Sequence, residues 1–337
     1  MKAVGYQASP SSQQPPVLQD LDLPTPTLRP HDLLVHVRAV SVNPVDTKVR
    51  MGVTPEPGAT KVLGWDAVGT VQALGSQAQG FAVGDRVYYA GSIDRPGTNS
   101  ELHAVDARIA AKAPTTASDA QAAALPLTSI TAWEILFDRL KVARGDASRG
   151  QTLLVVGGAG GVGSMLIQLA RQLTGLTVVA TASRPETRQW CLDLGAHHVI
   201  DHRQPMAAQL SGLGLEQIDM VASLTHTTAY FAQYVEMLKA QGQIALIDDM
   251  ASLDVVPLKR KSLSLHWELM FTRPLYGTPD LARQGELLAE VAALIDAGRL
   301  RSTLTTTLDG INARNLQQAH ELVESGKTIG KVVLEGF

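Results

Sequence analysis

The stretch Leu153-Leu-Val-Val-Gly-Gly-Ala-Gly-Gly-Val-Gly163, near the middle of a 337-residue chain, decides the fold. Four β-prone apolar residues, Leu153 to Val156, run into Gly158-x-Gly160-x-x-Gly163, and Ser164 to Leu173 carries apolar residues at helical spacing. That is strand, tight glycine turn, helix. Backbone amides at such a helix start point at an anion, the helix dipole favours negative charge, and missing side chains let a pyrophosphate approach the main chain. A second β-prone run, Thr177 to Thr181, follows about one crossover later, which is the context a dinucleotide site requires. Gly158, Gly160, Gly161, Val162 and Gly163 are therefore the expected pyrophosphate ligands.

Around this motif, from Leu127 onward, helical stretches alternate with β-prone runs. The runs are Leu153 to Val156, Thr177 to Thr181, His198 to Ile200, Ile218 to Ala222, Gln243 to Ile247 and Leu263 to Leu269, and the helices include Ser129 to Leu140, Pro185 to Leu194, Gln204 to Leu210 and Thr227 to Lys239. Strands alternating with helices predict an α/β fold with a doubly wound parallel sheet, and six strands is the Rossmann count. Residues 1 to 126 read differently, as short strands broken by Gly and Pro: Leu33 to Val40, Ala67 to Ala73, Arg86 to Tyr89 and Leu102 to Val105. They predict an all-β unit, a small barrel, with Pro10 to Pro30 and Thr54 to Gly58 as surface loops. After Phe271 come a helix from Leu281 to Ala297, a strand from Leu304 to Leu308, a helix from Asn312 to Ser325 and a closing strand from Gly330 to Leu334. The expected domains are 1–126, 127–271 and the return segment 272–337.

Composition narrows the function classes. An apolar fraction of 45% and a charged fraction of 18% are those of a globular protein. A net charge of -3 gives no basic footprint for nucleic acid or an anionic membrane, and no apolar run approaches a bilayer span or a signal-peptide core. A soluble, cytoplasmic protein is expected. The single cysteine, Cys191, excludes internal disulfides and a Cys-rich metal site.

The second strand decides which nicotinamide is preferred. An NAD site wants a carboxylate at its end to take the ribose hydroxyls, but the strand ends Val178-Val-Ala-Thr-Ala-Ser183-Arg184 and the first acid is Glu186. A serine hydroxyl and a guanidinium suit a 2′-phosphate, so Ser183 and Arg184, with Arg188 one turn on, point to NADPH. Ser183 also suits the N-cap of the helix beginning near Pro185.

Several further stretches carry a family resemblance. They are Asn43-Pro-Val-Asp46, Gly64-Trp-Asp-Ala-Val-Gly69, Gly80-Phe-Ala-Val-Gly-Asp-Arg-Val87, Leu125-Pro-Leu-Thr-Ser-Ile-Thr-Ala-Trp133, Phe271-Thr-Arg-Pro-Leu275 and Ile329-Gly-Lys-Val-Val-Leu334. Over essentially its whole length the chain resembles the medium-chain dehydrogenases/reductases, and within them the zinc-free quinone oxidoreductase branch whose members are often labelled zinc-type alcohol dehydrogenase-like. The resemblance implies a GroES-like β-barrel catalytic domain built from both chain ends, a Rossmann domain inserted between, and an active site in the cleft. It implies a catalytic place near the nicotinamide for Asn43 and Thr131, and cofactor contacts from Thr128, Phe271 and the tail residue Lys331. Asp46 lies in the same loop as Asn43, but an ion pair with Arg50 four residues on is the preferred reading. Lys331 could also be a solvated strand-edge charge.

Two departures shape the chemistry. Zinc members resembling this chain place a histidine in a Gly-His-Glu motif, which here is Gly64-Trp65-Asp66, and a cysteine near the Asn43 stretch, which here is absent; no metal is expected. Enoyl-thioester reductases resembling it carry a tyrosine in an Arg-x-Gly-x-Tyr context, where this chain reads Arg50-Met-Gly52-Val53-Thr54. With neither metal nor that acid, the expected reaction is hydride transfer from NADPH to a quinone or activated enone, small molecules that accept hydride without strong activation. The alternatives are a zinc-type alcohol dehydrogenase and a non-catalytic NADPH-binding protein of the crystallin-like or RNA-binding kind. The apolar run Leu263 to Phe271 ends the sheet, and an uncovered edge of that kind predicts a homodimer joined through it.

Overall fold

The computed structural model describes residues 1–8 and 16–337. The chain divides into two units, Met1–Ile130 with Phe271–Phe337, and Thr131–Met270. The junctions expected from sequence lay after residues 126 and 271.

The second unit is a six-stranded parallel sheet. Its order is His198–Ile200, Thr177–Thr181, Thr152–Val156, Ile218–Ser223, Leu238–Leu246 and Ser264–Trp267. In chain order within the unit this is 3-2-1-4-5-6, the doubly wound arrangement in which ligands bind at the carboxyl ends of the strands where the order reverses. Leu153, Leu154, Val155 and Val156 are all buried, as a central strand covered on both faces requires. One face packs Leu154, Val156, Val179, Val221 and Ile244 against Met206, Tyr234 and Met237. The glycine turn is held by packing. A Cβ on Gly158 would sit 2.8 Å from the Ala180 Cβ and 3.0 Å from the Cys191 Sγ, and one on Gly163 only 2.4 Å from the Gly157 carbonyl oxygen. Gly163 is needed so that helix Gly161–Leu173 can close on the turn, and Gly158 so that the turn can lie against Ala180 of the second strand and Cys191.

In the first unit the organising element is the long strand Asp32–Val42. Ala67–Leu74 pairs along one edge, while the other edge is shared, with Leu102–Asp106 on its first half and Lys331–Glu335 on its last residues. Lys331–Glu335 also pairs in parallel with Leu304–Asp309 through helix Ala313–Glu324, so the C-terminal segment completes a sheet begun by the N-terminal one. Arg86–Tyr89 and Ala110–Lys112 extend it to seven strands, and Gln19–Asp22, Lys2–Tyr6 and Lys61–Val62 form a separate three-stranded sheet.

The structure corrects the sequence reading in four places. Residues 1–126 are not all strand: Pro44–Gly52 is a helix, started by Asn43 at its N-cap and Pro44 at its first position, with the Asn43 amide donating to the Asp46 Oδ2 at 2.8 Å. The expected loop Pro10 to Pro30 contains the strand Gln19–Asp22, and its residues 10–15 lie outside the described residues. The Ala-rich segment before Pro126 holds a short helix, Asp119–Ala123, capped by a Ser118–Gln121 box. The helix expected over Ser129 to Leu140 is α-helical only across Pro126–Trp133 and then widens into a π turn, Glu134–Arg139. There the Trp133 and Phe137 rings stack edge-on at 4.9 Å, with the Arg144 guanidinium over both. No described helix is long and apolar enough to cross a membrane.

Candidate active site

Strand register in the first unit brings three polar side chains together. Val332 lies opposite Val42, and Val40 opposite Ala67, so Lys331, Asn43 and Asp66 stand side by side at the ends of three neighbouring strands. All three are buried, with exposures of 3%, 1% and 0%. The Lys331 ammonium donates to the Val42 carbonyl at 3.0 Å, to the Asp66 Oδ2 at 3.1 Å and to the Asn43 Oδ1. Asp66 is met by four donors: Lys331, the Asn43 Nδ2 at 2.8 Å, the Ser41 hydroxyl at 2.9 Å, and the Leu127 amide at 2.7 Å on its other oxygen. Burial pushes the Asp66 carboxyl up and the Lys331 ammonium down, and each opposes the other's shift by its charge. A buried ion pair satisfied in this way is costly to break and specific in geometry.

Asp46 is the second carboxyl of the cluster. Its Oδ2 accepts the Asn43 main-chain amide, while its buried Oδ1 has no hydrogen-bond partner among the described residues. Burial raises its pKa to about 7, with the Asn43 amide and the Lys331 charge pulling it back and Asp66 pushing it further. The expected Asp46–Arg50 ion pair does not form. Arg50 turns instead to helix Ala313–Glu324, donating to the Gln317 Oε1 at 2.6 Å and the Glu324 Oε1 at 2.8 Å, because that helix packs directly on its own.

Other expectations change as well. Lys331 is not a solvated edge charge. Asn43 does not offer its amide outward; both amide atoms are engaged by Lys331 and Asp66, so it positions these two groups. The Thr128 hydroxyl is turned back to the Leu125 carbonyl at 3.1 Å. Phe271 packs edge-on against Trp65 at 5.9 Å. Thr131 is 5% exposed and lies at the start of the second unit. Asp66 is not among the site residues expected from sequence. An acid held inside the apolar run from Val62 to Val68 is itself the signal, since a charge in such a run must be paired.

In the second unit the glycine turn tests whether a dinucleotide fits. Gly158 and Gly163 are filled by protein, but around a Cβ on Gly160 the nearest atom is the Gly157 oxygen at 3.6 Å. The middle glycine answers to no packing demand and heads a 13-residue helix through the Gly161 and Val162 amides, as a pyrophosphate site requires. Beside it, helix Pro185–Asp193 has Arg184, not Ser183, as its N-cap residue, so Ser183 does not have the capping role. Arg184 forms a pair with Glu186 at 3.2 Å. Arg188 donates to the Val199 carbonyl at 2.9 Å, which fixes helix to strand. An unexpected cation is near: the Arg203 Nη2 donates to the Ser183 carbonyl at 2.8 Å.

Against known proteins, the chain is 39% identical over 337 residues to a zinc-type alcohol dehydrogenase-like protein of Staphylococcus aureus, covering 99% of both. The chain belongs to the medium-chain dehydrogenase/reductase family. Two family models agree, the alcohol dehydrogenase GroES-like domain over residues 29–115 and the zinc-binding dehydrogenase over residues 194–334. A crystal structure from Rhizobium etli, provisionally named a zinc-dependent alcohol dehydrogenase, superposes with a TM-score of 0.96 at 55% identity over 100% of this chain and 98% of that one. Over 186 residues the chain is 37% identical to the chloroplastic NADPH-dependent alkenal/one oxidoreductase of Arabidopsis thaliana, covering 52% of this chain and 46% of that protein.

Zinc, which several of these names imply, does not fit the residues of this family member. The Trp65 indole donates to the Ser92 carbonyl at 3.2 Å from a buried position, and the one thiol, Cys191, is buried beside Gly158 with its pKa pushed up to about 12 by burial. Among the described residues no group of three or more His, Cys, Asp or Glu side chains could hold a metal ion.

Two outcomes follow from the buried cluster. Lys331→Met leaves the Asp66 charge buried and unpaired, so it is expected to destabilise the protein by about 3–5 kcal/mol in urea unfolding, with Lys331→Met/Asp66→Asn recovering more than half. Equal losses in the single and double variants would show that the pair does not act as one. For Asp46, whose pKa rises from 3.8 in the reference state to about 7 in the fold, the native protein keeps a proton that the unfolded chain has lost between these values. Its contribution to stability is therefore fullest at the acid end and declines as pH rises through that window, by up to about 1.4 kcal/mol per pH unit. Asp46→Asn removes this slope. A wild-type minus variant stability difference that is the same at pH 5 and pH 7 would refute the assignment.

Proposed function

We propose that this chain is an NADPH-dependent reductase of activated enones and quinones that works without a metal ion. The observation that carries the reading is the pairing of an open middle glycine, Gly160, with a second strand that ends in Ser183 and Arg184 and offers no carboxylate. The name of the Arabidopsis relative, an NADPH-dependent alkenal/one oxidoreductase, supports both the cofactor and the acceptor class.

Gly158 to Gly163 hold the pyrophosphate on helix-terminal amides, and Ser183 and Arg184 take the adenosine phosphate. When bound, the reduced nicotinamide supplies a hydride. Asn43, Asp46, Asp66 and Lys331 are buried and answer one another, so they hold the backbone of the catalytic unit in place and leave little net charge to oppose hydride transfer. Trp65 and Phe271 add a dry aromatic pair. Nothing in this set polarises a poor electrophile, so the acceptor has to be electron-poor by itself, as conjugated enones and quinones are. Steady-state assays are expected to show NADPH consumption with both classes, little oxidation of simple alcohols, and full activity in chelator. Brisk alcohol oxidation lost on chelation would overturn the proposal.

We also propose a homodimer joined through the edge strand. Ser264–Trp267 has a neighbour on one side within its sheet, and Trp267 and Leu269 are 53% and 51% exposed. An apolar strand edge of this kind invites pairing with a second copy. Light scattering is expected to give about twice the 35.9 kDa chain mass, and Trp267→Lys to shift it to monomer; a wild-type monomer at micromolar concentration would refute it.

A further inference from the structure

The sheet order puts His198–Ile200 at the edge, directly beside Thr177–Thr181, so the loops leaving the carboxyl ends of these two strands are neighbours. The loop from the edge strand begins Asp201-His202-Arg203, and there a carboxylate and a guanidinium are locked together. The Arg203 Nη2 lies 2.7 Å from the Asp201 Oδ2, its Nε lies 3.1 Å and 3.2 Å from the two Asp201 oxygens, and its main-chain amide donates to Oδ1 at 2.9 Å. The same Nη2 reaches across to the Ser183 carbonyl at 2.8 Å. Its Nη1 donates to nothing among the described residues, and the side chain is 62% exposed against 21% for Asp201.

This arrangement alters the account of cofactor choice. The strand expected to carry a discriminating acid has none, yet the fold delivers one from the next strand. Asp201 is held ionised, its pKa lowered to about 2 by the Arg203 guanidinium. Left bare, a carboxylate beside Ser183 would accept ribose hydroxyls and repel a 2′-phosphate, the behaviour of an NAD site. Arg203 cancels that charge, and keeps donors free for a phosphate that a guanidinium can take as a charge-assisted contact. Arg188 is placed differently, its Nη2 donating to the Val199 carbonyl, whereas Arg203 donates to Ser183 itself.

We propose that the Asp201–Arg203 pair sets the choice between NADPH and NADH, Arg203 both masking Asp201 and drawing the 2′-phosphate to Ser183. The inference rests on the nicotinamide reading above and names the residues that decide it.

The test is calorimetric titration of the full-length protein with adenosine 2′,5′-bisphosphate, NADPH and NADH, so that binding is read without turnover. Arg203→Ala is expected to weaken the bisphosphate and NADPH about ten-fold or more, while NADH binding is unchanged or tighter because Asp201 is unmasked. Arg203→Ala/Asp201→Asn should regain part of the lost NADPH affinity, and Arg188→Ala should leave the bisphosphate affinity as it was. Equal weakening of NADPH and NADH by Arg203→Ala, or a bisphosphate affinity that survives the substitution, would overturn this assignment alone. A wild type that binds the bisphosphate no better than adenosine 5′-phosphate would instead overturn the NADPH reading itself.

Discussion

The catalytic unit depends on one buried ion pair, Asp66 with Lys331. An ammonium and a carboxylate removed from water are tolerable only if their remaining hydrogen-bonding capacity is met, and here the strand ends are arranged to meet it. The donors and acceptors come from five segments: Ser41 and Val42 at the end of the long strand, Asn43 at the cap of the next helix, Asp66 before its strand, Leu127 near the start of the helix that leaves the unit, and Lys331 at the head of the closing strand. A hydrophobic contact would tolerate sliding between them. This network does not, because a slip of one residue would turn Lys331 to the opposite face of its strand and leave a charge unanswered. The pair therefore fixes the register with which the C-terminal segment joins the N-terminal sheet, 288 residues away from Asn43 in sequence.

The nucleotide unit rests on a different constraint, close approach of main chain to main chain. Gly163 lets the first helix lie against the turn, and Gly158 lets the turn lie against the second strand and helix Pro185–Asp193, where Cys191 packs. With those two positions fixed by packing, the turn's backbone amides are aimed in advance of any ligand. Preorganisation of this kind reduces what a bound dinucleotide must spend on ordering. It also separates the roles of three glycines that look equivalent in sequence.

How much of this was legible beforehand follows from the range of the interactions. The parallel sheet, its six strands and most of their limits could be read because each rests on local periodicity and on turn residues within a few positions. The helix Pro44–Gly52 was missed despite its Asn43 cap and Pro44, since nine polar-rich residues between β-prone runs resemble a loop. Asn43 and Lys331 could be picked out in the sequence, but not Asn43's direction or Lys331's burial, because those depend on strands brought together from opposite ends of the chain. The same holds for the cations near Ser183. Arg188 is near in sequence and Arg203 is not, yet the sheet order brings Arg203 to the serine and turns Arg188 to a neighbouring strand.

A site of this composition limits the chemistry by what its charges are already doing. Lys331 has its three donors committed and Asp66 has both oxygens committed, so neither can serve as acid or base without breaking the pair that sets the register. Asp46 differs: only one of its oxygens is used, and its pKa of about 7 lets it change charge near neutrality without disturbing the donors on Asp66. Charge balance gives the reason. Two carboxylates and one ammonium in a buried cluster leave one excess negative charge, and the carboxyl with fewer donors takes up the proton that removes it. The cluster is thus drawn toward neutrality by a proton on Asp46, which leaves the Asp66–Lys331 pair and its donors as they are.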